Sequence, residues 1–241
     1  MSAGRRVGFW YRLVVVVAKP LLRVFTRREW RGLDNVPREG GIIVAANHVS
    51  ELDPFAVGEF LLDHDRPPRF LAKAELFRKA PLKWVLVGAE QIPVSRNSVD
   101  ASLALEPAVD ALRRGECVLV YPEGSVTRDP QLWPMKARTG VARLALLSGA
   151  PVIPVAQWGP EQVLPYKARR PRLLPRHRFQ VLAGPPVDLS AFVDKPLTAE
   201  LLRAATDTIM WRVTKQLAEL RGDTPPDRFF DMKAVAAKET A

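Results

Sequence analysis

The stretch Ile42-Ile43-Val44-Ala45-Ala46-Asn47-His48-Val49-Ser50-Glu51-Leu52-Asp53-Pro54 decides how this chain is read. Its first five residues form an apolar, β-branched run of strand length, the pattern of a buried strand. Asp53-Pro54 then supplies an N-cap and a proline at the first helical position, opening a helix to about Leu62. A strand passing through a polar loop into a helix is the unit of α/β folds. The same loop places an imidazole at the strand exit, with four residues between it and a carboxylate. A carboxylate on one ring nitrogen fixes the tautomer and stabilises the imidazolium, as a general base requires. His48 and Asp53 are therefore the candidate catalytic pair. Taken alone, a histidine in this position is more often a turn residue than a catalyst, and Asp53 can serve as the N-cap, as the partner of His48, or as both.

Working outward, Tyr121-Pro122-Glu123-Gly124-Ser125 follows a second apolar run, Val118-Leu119-Val120, so two polar loops at strand ends point to one composite site. Further strands are expected at Arg69–Ala72, Gln91–Val94, Cys117–Tyr121, Pro151–Val155 and Arg178–Leu182, with a short extended piece near residues 30–33. The prolines around Val152-Ile153 place that strand near an edge or behind a turn. Helices are expected over residues 7–26 (kinked or divided at Pro20), Phe77–Val87, 98–114 and Thr139–Leu147. In the 98–114 helix Pro107 implies a kink or a true start near Glu106. Leu202, Ala205, Ile209, Val213, Leu217 and Leu220 mark one face of a long amphipathic helix ending near residue 221. Strands alternating with helices argue for a single α/β domain, a mixed and mostly parallel sheet flanked by helices.

The expected organisation is a basic amphipathic membrane-associating segment over residues 1–37, a catalytic domain over 38–221 and a loose polar tail over 222–241. A chain of 241 residues suffices for one large core. Its net charge of +10 implies an anionic partner: lipid, nucleic acid or a phosphorylated substrate. A lone cysteine, Cys117, excludes an intramolecular disulfide, and its apolar surroundings make it a small hydrophobe. His48, His64 and His177 lie too far apart for a local zinc motif, so no metal is expected. Residues 9–25 are apolar but broken by Arg12, Lys19 and Arg23, which fits neither a spanning helix nor a signal peptide. Residues 1–40 hold nine Lys/Arg against three Asp/Glu, a local net of +6. Aromatic and basic side chains together suit a helix, or helical hairpin, lying in the headgroup layer; a basic helix packed on the domain is the other reading.

With these segments in order, the chain resembles the glycerophospholipid acyltransferases over roughly residues 30–190. Asn47-His48 through Asp53 resembles that family's first motif, and Gln91-Ile92-Pro93-Val94-Ser95-Arg96 the second. Tyr121-Pro122-Glu123-Gly124-Ser125 resembles the third, and Ala150-Pro151-Val152-Ile153-Pro154-Val155 the fourth. Lys73-Ala74-Glu75-Leu76 is similar to a segment whose lysine lies near the substrate phosphate.

The resemblance implies transfer of a fatty acyl group from a thioester to the sn-2 hydroxyl of 1-acylglycerol 3-phosphate, giving phosphatidic acid. His48 would be the general base and Asp53 its partner, with no acyl-enzyme. Lys73 and Arg96 would hold the acceptor phosphate, and Gly124 and Ser125 would border the substrate. Glu123 would accept from a substrate hydroxyl or orient a neighbouring base. Arg128 would join the phosphate site, although Val126 and Thr127 displace it from the position directly after Gly-Ser that the family favours. Glu90 and Ser95 are further departures from the second motif.

The expected partners are lysophosphatidic acid or a related lysolipid, acyl-CoA or acyl carrier protein as co-substrate, and an anionic membrane surface. No other cofactor and no nucleic acid are expected. The expected location is the cytoplasmic face of the membrane, peripheral or monotopic. Another lysophospholipid or a glycolipid acceptor is the alternative within this class. A non-enzymatic basic protein binding membrane or nucleic acid is the alternative outside it. The run 167–178, with six Lys/Arg and no acid, extends the basic surface.

Overall fold

In a computed structural model describing residues 8–78, 80, 82–94, 103–232 and 234, the apolar runs become strands of one sheet. The strands are β1 (Thr26–Arg31), β2 (Ile42–Ala46), β3 (Pro68–Lys73), β4 (Ile92–Val94), β5 (Cys117–Val120), β6 (Val152–Trp158) and β7 (His177–Ala183). They lie in the order β1-β7-β6-β2-β5-β3-β4. The β6–β7 pair is antiparallel and the others are parallel, giving the mixed, mostly parallel sheet expected. The helices are α1 (Phe9–Phe25), α2 (Asp53–Leu62), α3 (Leu82–Gly88), α4 (Glu106–Arg113), α5 (Gly140–Ser148), α6 (Pro160–Val163) and α7 (Ala199–Arg221).

The two-residue period of a strand sorts β2 between two cores. Ile43 and Ala45 face the cluster that α4, α5 and α7 complete. Ile42, Val44 and Ala46 face the cluster containing Ala56, Val57, Phe60 and Leu61 of α2. Both faces are covered, which is why β2 reads as a continuous apolar run. Phe60 is fully buried, and truncating it to alanine would cost about 3–5 kcal/mol. Along α7, all six apolar positions expected to face the core are buried. The Thr198 side chain caps its start by accepting the Leu201 N–H at 3.2 Å.

Several expectations need correction. Residues 26–31 are not part of an N-terminal appendage: they form β1, paired along its whole length with β7. β6 is interior, flanked by β2 and β7. Pro154 is tolerated there because its carbonyl accepts from Gly184 on the β7 side, and regular pairing to β7 begins only at Val155. Its missing N–H therefore falls where that ladder ends. The helix expected over Phe77–Val87 is a 3-10 turn (Ala74–Arg78) followed by α3. Of the helix expected over 98–114, residues 98–102 lie outside the described residues. A 3-10 turn (Leu103–Leu105) leads into α4, which starts at Glu106, the alternative start expected from Pro107, because that proline suits its first turn. The tail is not loose as far as Asp231: Phe230 bridges Met135, Lys136 pairs with Asp231, and Phe229 packs 4.4 Å from Trp211.

α1 carries Pro20 inside it and packs against α3 and β1. Lys19 pairs with Asp63 at 2.7 Å, and Arg28 with Glu59 at 3.0 Å. Its inner face buries Tyr11; Phe9, Leu13, Val16, Val17, Leu21 and Val24 stay exposed.

Candidate active site

β2 and β5 are adjacent and parallel, so the loops leaving their C-terminal ends meet. Asn47 locks the exit of β2 against β6. Its side-chain oxygen accepts the Gln157 N–H at 2.8 Å, and its side-chain nitrogen donates to the Gln157 carbonyl at 3.0 Å. The next residue is gripped from the other side. The His48 N–H donates to Glu123 Oε1 at 2.9 Å, and its carbonyl accepts the Thr127 N–H at 2.7 Å. The main chain of the base is thereby fixed by the loop that follows β5.

Asp53 holds the ring. Its Oδ2 accepts from His48 Nδ1 at 2.7 Å, and also from the Val49 and Ser50 amides at 2.6 and 2.9 Å. This corrects one expectation: the carboxylate turns back into the loop and does not cap α2, whose N-cap is Leu52 with no side-chain capping bond. Asp53 is fully buried, and desolvation raises its pKa against the opposing pull of His48 and the two amides. With Nδ1 committed, Nε2 is the ring nitrogen left for substrate. Tyr121 stacks on the imidazole with ring centroids 4.4 Å apart and planes 26° apart, limiting its rotation further. Nothing in the sequence reading assigned Tyr121 a role, although its place directly before Pro122-Glu123 was the available signal.

Glu123 is corrected too. Its second oxygen accepts the Met135 N–H at 2.9 Å, so both oxygens serve backbone amides. It is buried and does not line the cavity below. Of the two roles expected, orienting the base fits and contact with a substrate hydroxyl does not. Burial outweighs its two hydrogen bonds and pushes its pKa to about 8. Cys117 is likewise buried, with its thiol pushed up to about 12 and no nucleophilic character.

His48 opens onto a cavity of about 820 Å³. Tyr11, Val15, Ala18 and Leu22 of α1 form one wall, a part of α1 that the sequence reading did not anticipate. Gly58 and Leu62 of α2, Phe70 of β3 and Leu86 of α3 form others, so the space is mostly apolar. Lys73, Gly124, Ser125 and Arg128 border it together with His48. The Arg128 guanidinium lies 4.6 Å from the ring centroid of Tyr166, which also borders the cavity. Among the described residues neither Lys73 nor Arg128 has an acidic partner. Arg96 lies outside the described residues. The described residues contain no group of three or more His, Cys, Asp or Glu placed to hold a metal.

A general base held by a buried acid, beside two cations and an apolar chamber, is equipped to deprotonate an alcohol on an anionic amphiphile. Comparison with known proteins agrees. The family model described as acyltransferase matches residues 27–158. The 1-acyl-sn-glycerol-3-phosphate acyltransferase of Bacillus subtilis (strain 168) is 26% identical over 183 residues, 75% of this chain and 83% of that one. The 1-acyl-sn-glycerol-3-phosphate acyltransferase alpha of Mus musculus is 30% identical over 207 residues, 84% of this chain and 70% of that one. The crystal structure of the 1-acyl-sn-glycerophosphate (LPA) acyltransferase PlsC from Thermotoga maritima shares the fold. Its TM-score is 0.65 at 23% identity, over 90% of this chain and 81% of that one.

Proposed function

This chain belongs to the acyltransferase family, and from that premise we propose that it acylates the sn-2 hydroxyl of 1-acylglycerol 3-phosphate to give phosphatidic acid. The observation that carries the reading is the His48–Asp53 contact of 2.7 Å at the edge of an apolar cavity bordered by Lys73 and Arg128.

His48 Nε2 takes the proton of the acceptor hydroxyl as its oxygen attacks the thioester carbonyl. Asp53 keeps the other proton on Nδ1 and stabilises the imidazolium that forms, as in serine-protease sites. The tetrahedral oxyanion collapses, the C–S bond breaks, and the imidazolium returns its proton to the departing thiolate. The products are the ester and a free thiol, with no covalent enzyme intermediate. The donor is a thioester of coenzyme A or acyl carrier protein, and this sequence of steps uses no other cofactor. Lys73 and Arg128 hold the acceptor phosphate, the first as a point charge and the second as a planar fork.

Among the described residues no helix is long and apolar enough to cross a membrane. α1 instead docks the enzyme peripherally on the cytoplasmic face. Its exposed Phe9, Val16, Val17 and Val24 enter the headgroup layer while its inner face walls the acyl cavity. An acceptor panel with one labelled long-chain acyl-CoA tests the assignment. Lysophosphatidic acid should give the highest kcat/KM, ahead of glycerol 3-phosphate, neutral lysophospholipids and mannosylated lipids. A neutral acceptor preferred over lysophosphatidic acid would overturn it.

A further inference from the structure

We propose that the loop from Pro165 to Arg176 is a second membrane contact, which inserts Leu174 among anionic lipid headgroups and is fastened to the end of α1. The proposal rests on the reading above only in that the substrate reaches the site from a bilayer.

The loop begins at the cavity and ends at α1. Tyr166 borders the cavity, and the Arg172 N–H donates to the Val163 carbonyl at 2.7 Å, fixing the root of the loop. At the far end the Arg176 side chain donates to the Arg23 carbonyl at 2.7 Å and the Thr26 carbonyl at 2.8 Å. These are groups at the C-terminal end of α1, where a cation is also favoured by the helix dipole.

Between the two anchors residues 167–176 are all exposed. Lys167, Arg169, Arg170 and Arg172 have no acidic partner among the described residues. A solvated loop would be expected to be polar at its apex, yet Leu174 is 78% exposed and Leu173 37%. Exposed leucines beside bases that have no acidic partner among the described residues match the headgroup layer, where leucine leaves water and long basic side chains reach the phosphates. The chain's overall charge of +10 complements such a surface. The loop and α1 thus flank the cavity as two lipid-facing elements joined through Arg176.

The test uses the full chain with vesicles of phosphatidylcholine alone or with added phosphatidylglycerol. The triple substitution R169E/R170E/R172E should lower binding to the anionic vesicles by about tenfold or more, given the favourable contribution of each surface base. Binding to the neutral vesicles should not change. Leu174→Asp should weaken binding to both compositions. Transfer between water-soluble short-chain substrates should stay at the wild-type rate in each variant, because none of these side chains borders the cavity. That readout separates failure of the membrane contact from failure of the assigned reaction. Wild-type binding of the anionic vesicles by either variant would overturn the proposal. So would a raised KM for the acyl-CoA with vesicle binding intact, which would assign the bases to the phosphates of the donor.

Discussion

The backbone of His48 is bound at both its N–H and its C=O by the loop after β5: the N–H donates to the Glu123 carboxyl at 2.9 Å, and the C=O accepts the Thr127 N–H at 2.7 Å. The acid of the third motif therefore serves the base from behind. Glu123→Ala would leave the buried N–H groups of His48 and Met135 without acceptors, each at a cost of about 1–3 kcal/mol. Urea denaturation should show a loss of about 2–6 kcal/mol, with a parallel fall in transfer rate. A variant as stable as wild type would contradict the tether.

Buried acids also set how stability responds to pH. Glu123 and Glu161 have pKa values raised by desolvation from 4.5 to about 8 and about 7. Above pH 4.5 the unfolded chain releases protons that the native state keeps. Their contribution is therefore full below that point and is lost as pH rises through about 7 and about 8. Glu161→Gln keeps an acceptor for the Gly159 N–H, now bonded at 2.7 Å, and removes the titration. Melting temperatures measured from acid to mildly alkaline pH should fall less steeply for this variant than for wild type. Equal slopes would refute the assignment.

Cavity depth should govern acyl-chain length. Gly58 borders the cavity, and a Cβ added there would meet Phe70 Cζ at 3.5 Å, an ordinary contact. Gly58→Leu should therefore fold and fill the chamber, shifting preference toward shorter acyl thioesters. Each methylene denied burial costs about 0.8 kcal/mol. Rates across a graded series of donors would reveal the shift, and an unchanged profile would place the acyl chain elsewhere.

Asp53→Asn keeps the size of the side chain but removes the charge that fixes the tautomer of His48. Initial rates should fall by about 10³–10⁴, as for the equivalent loss in other acid–histidine pairs, with little change in KM. Retention of most of the wild-type rate would mean that the carboxylate acts only on the loop amides.

The strand, loop and helix from β2 to α2 were legible because local and tertiary signals agree there, all but the N-cap, which is Leu52 and not Asp53. A β-branched run buried on both faces, followed by Asp-Pro, reads as a strand leading into a helix. β1 was not legible. Thr26-Arg27-Arg28-Glu29-Trp30-Arg31 has a single apolar side chain, and what makes it a strand is β7, a partner about 150 residues away. Pro154 misled for a related reason: proline argues for an edge unless its missing donor lies beyond the ladder, which only the register reveals. At the site, the identities of His48 and Asp53 were readable from their spacing. The side of Glu123 that matters was not, because a carboxylate serving backbone amides looks in sequence like one serving substrate. Tyr121 was passed over because an aromatic ring at a strand end is usually core.

The rate of acyl transfer by His48→Ala, with lysophosphatidic acid and a labelled acyl-CoA, is the sharpest test of His48 as the general base. Transfer should fall by about 10³-fold or more, while the melting temperature and vesicle binding stay at wild-type values. A correctly folded variant that still transferred the acyl group at a comparable rate would contradict it.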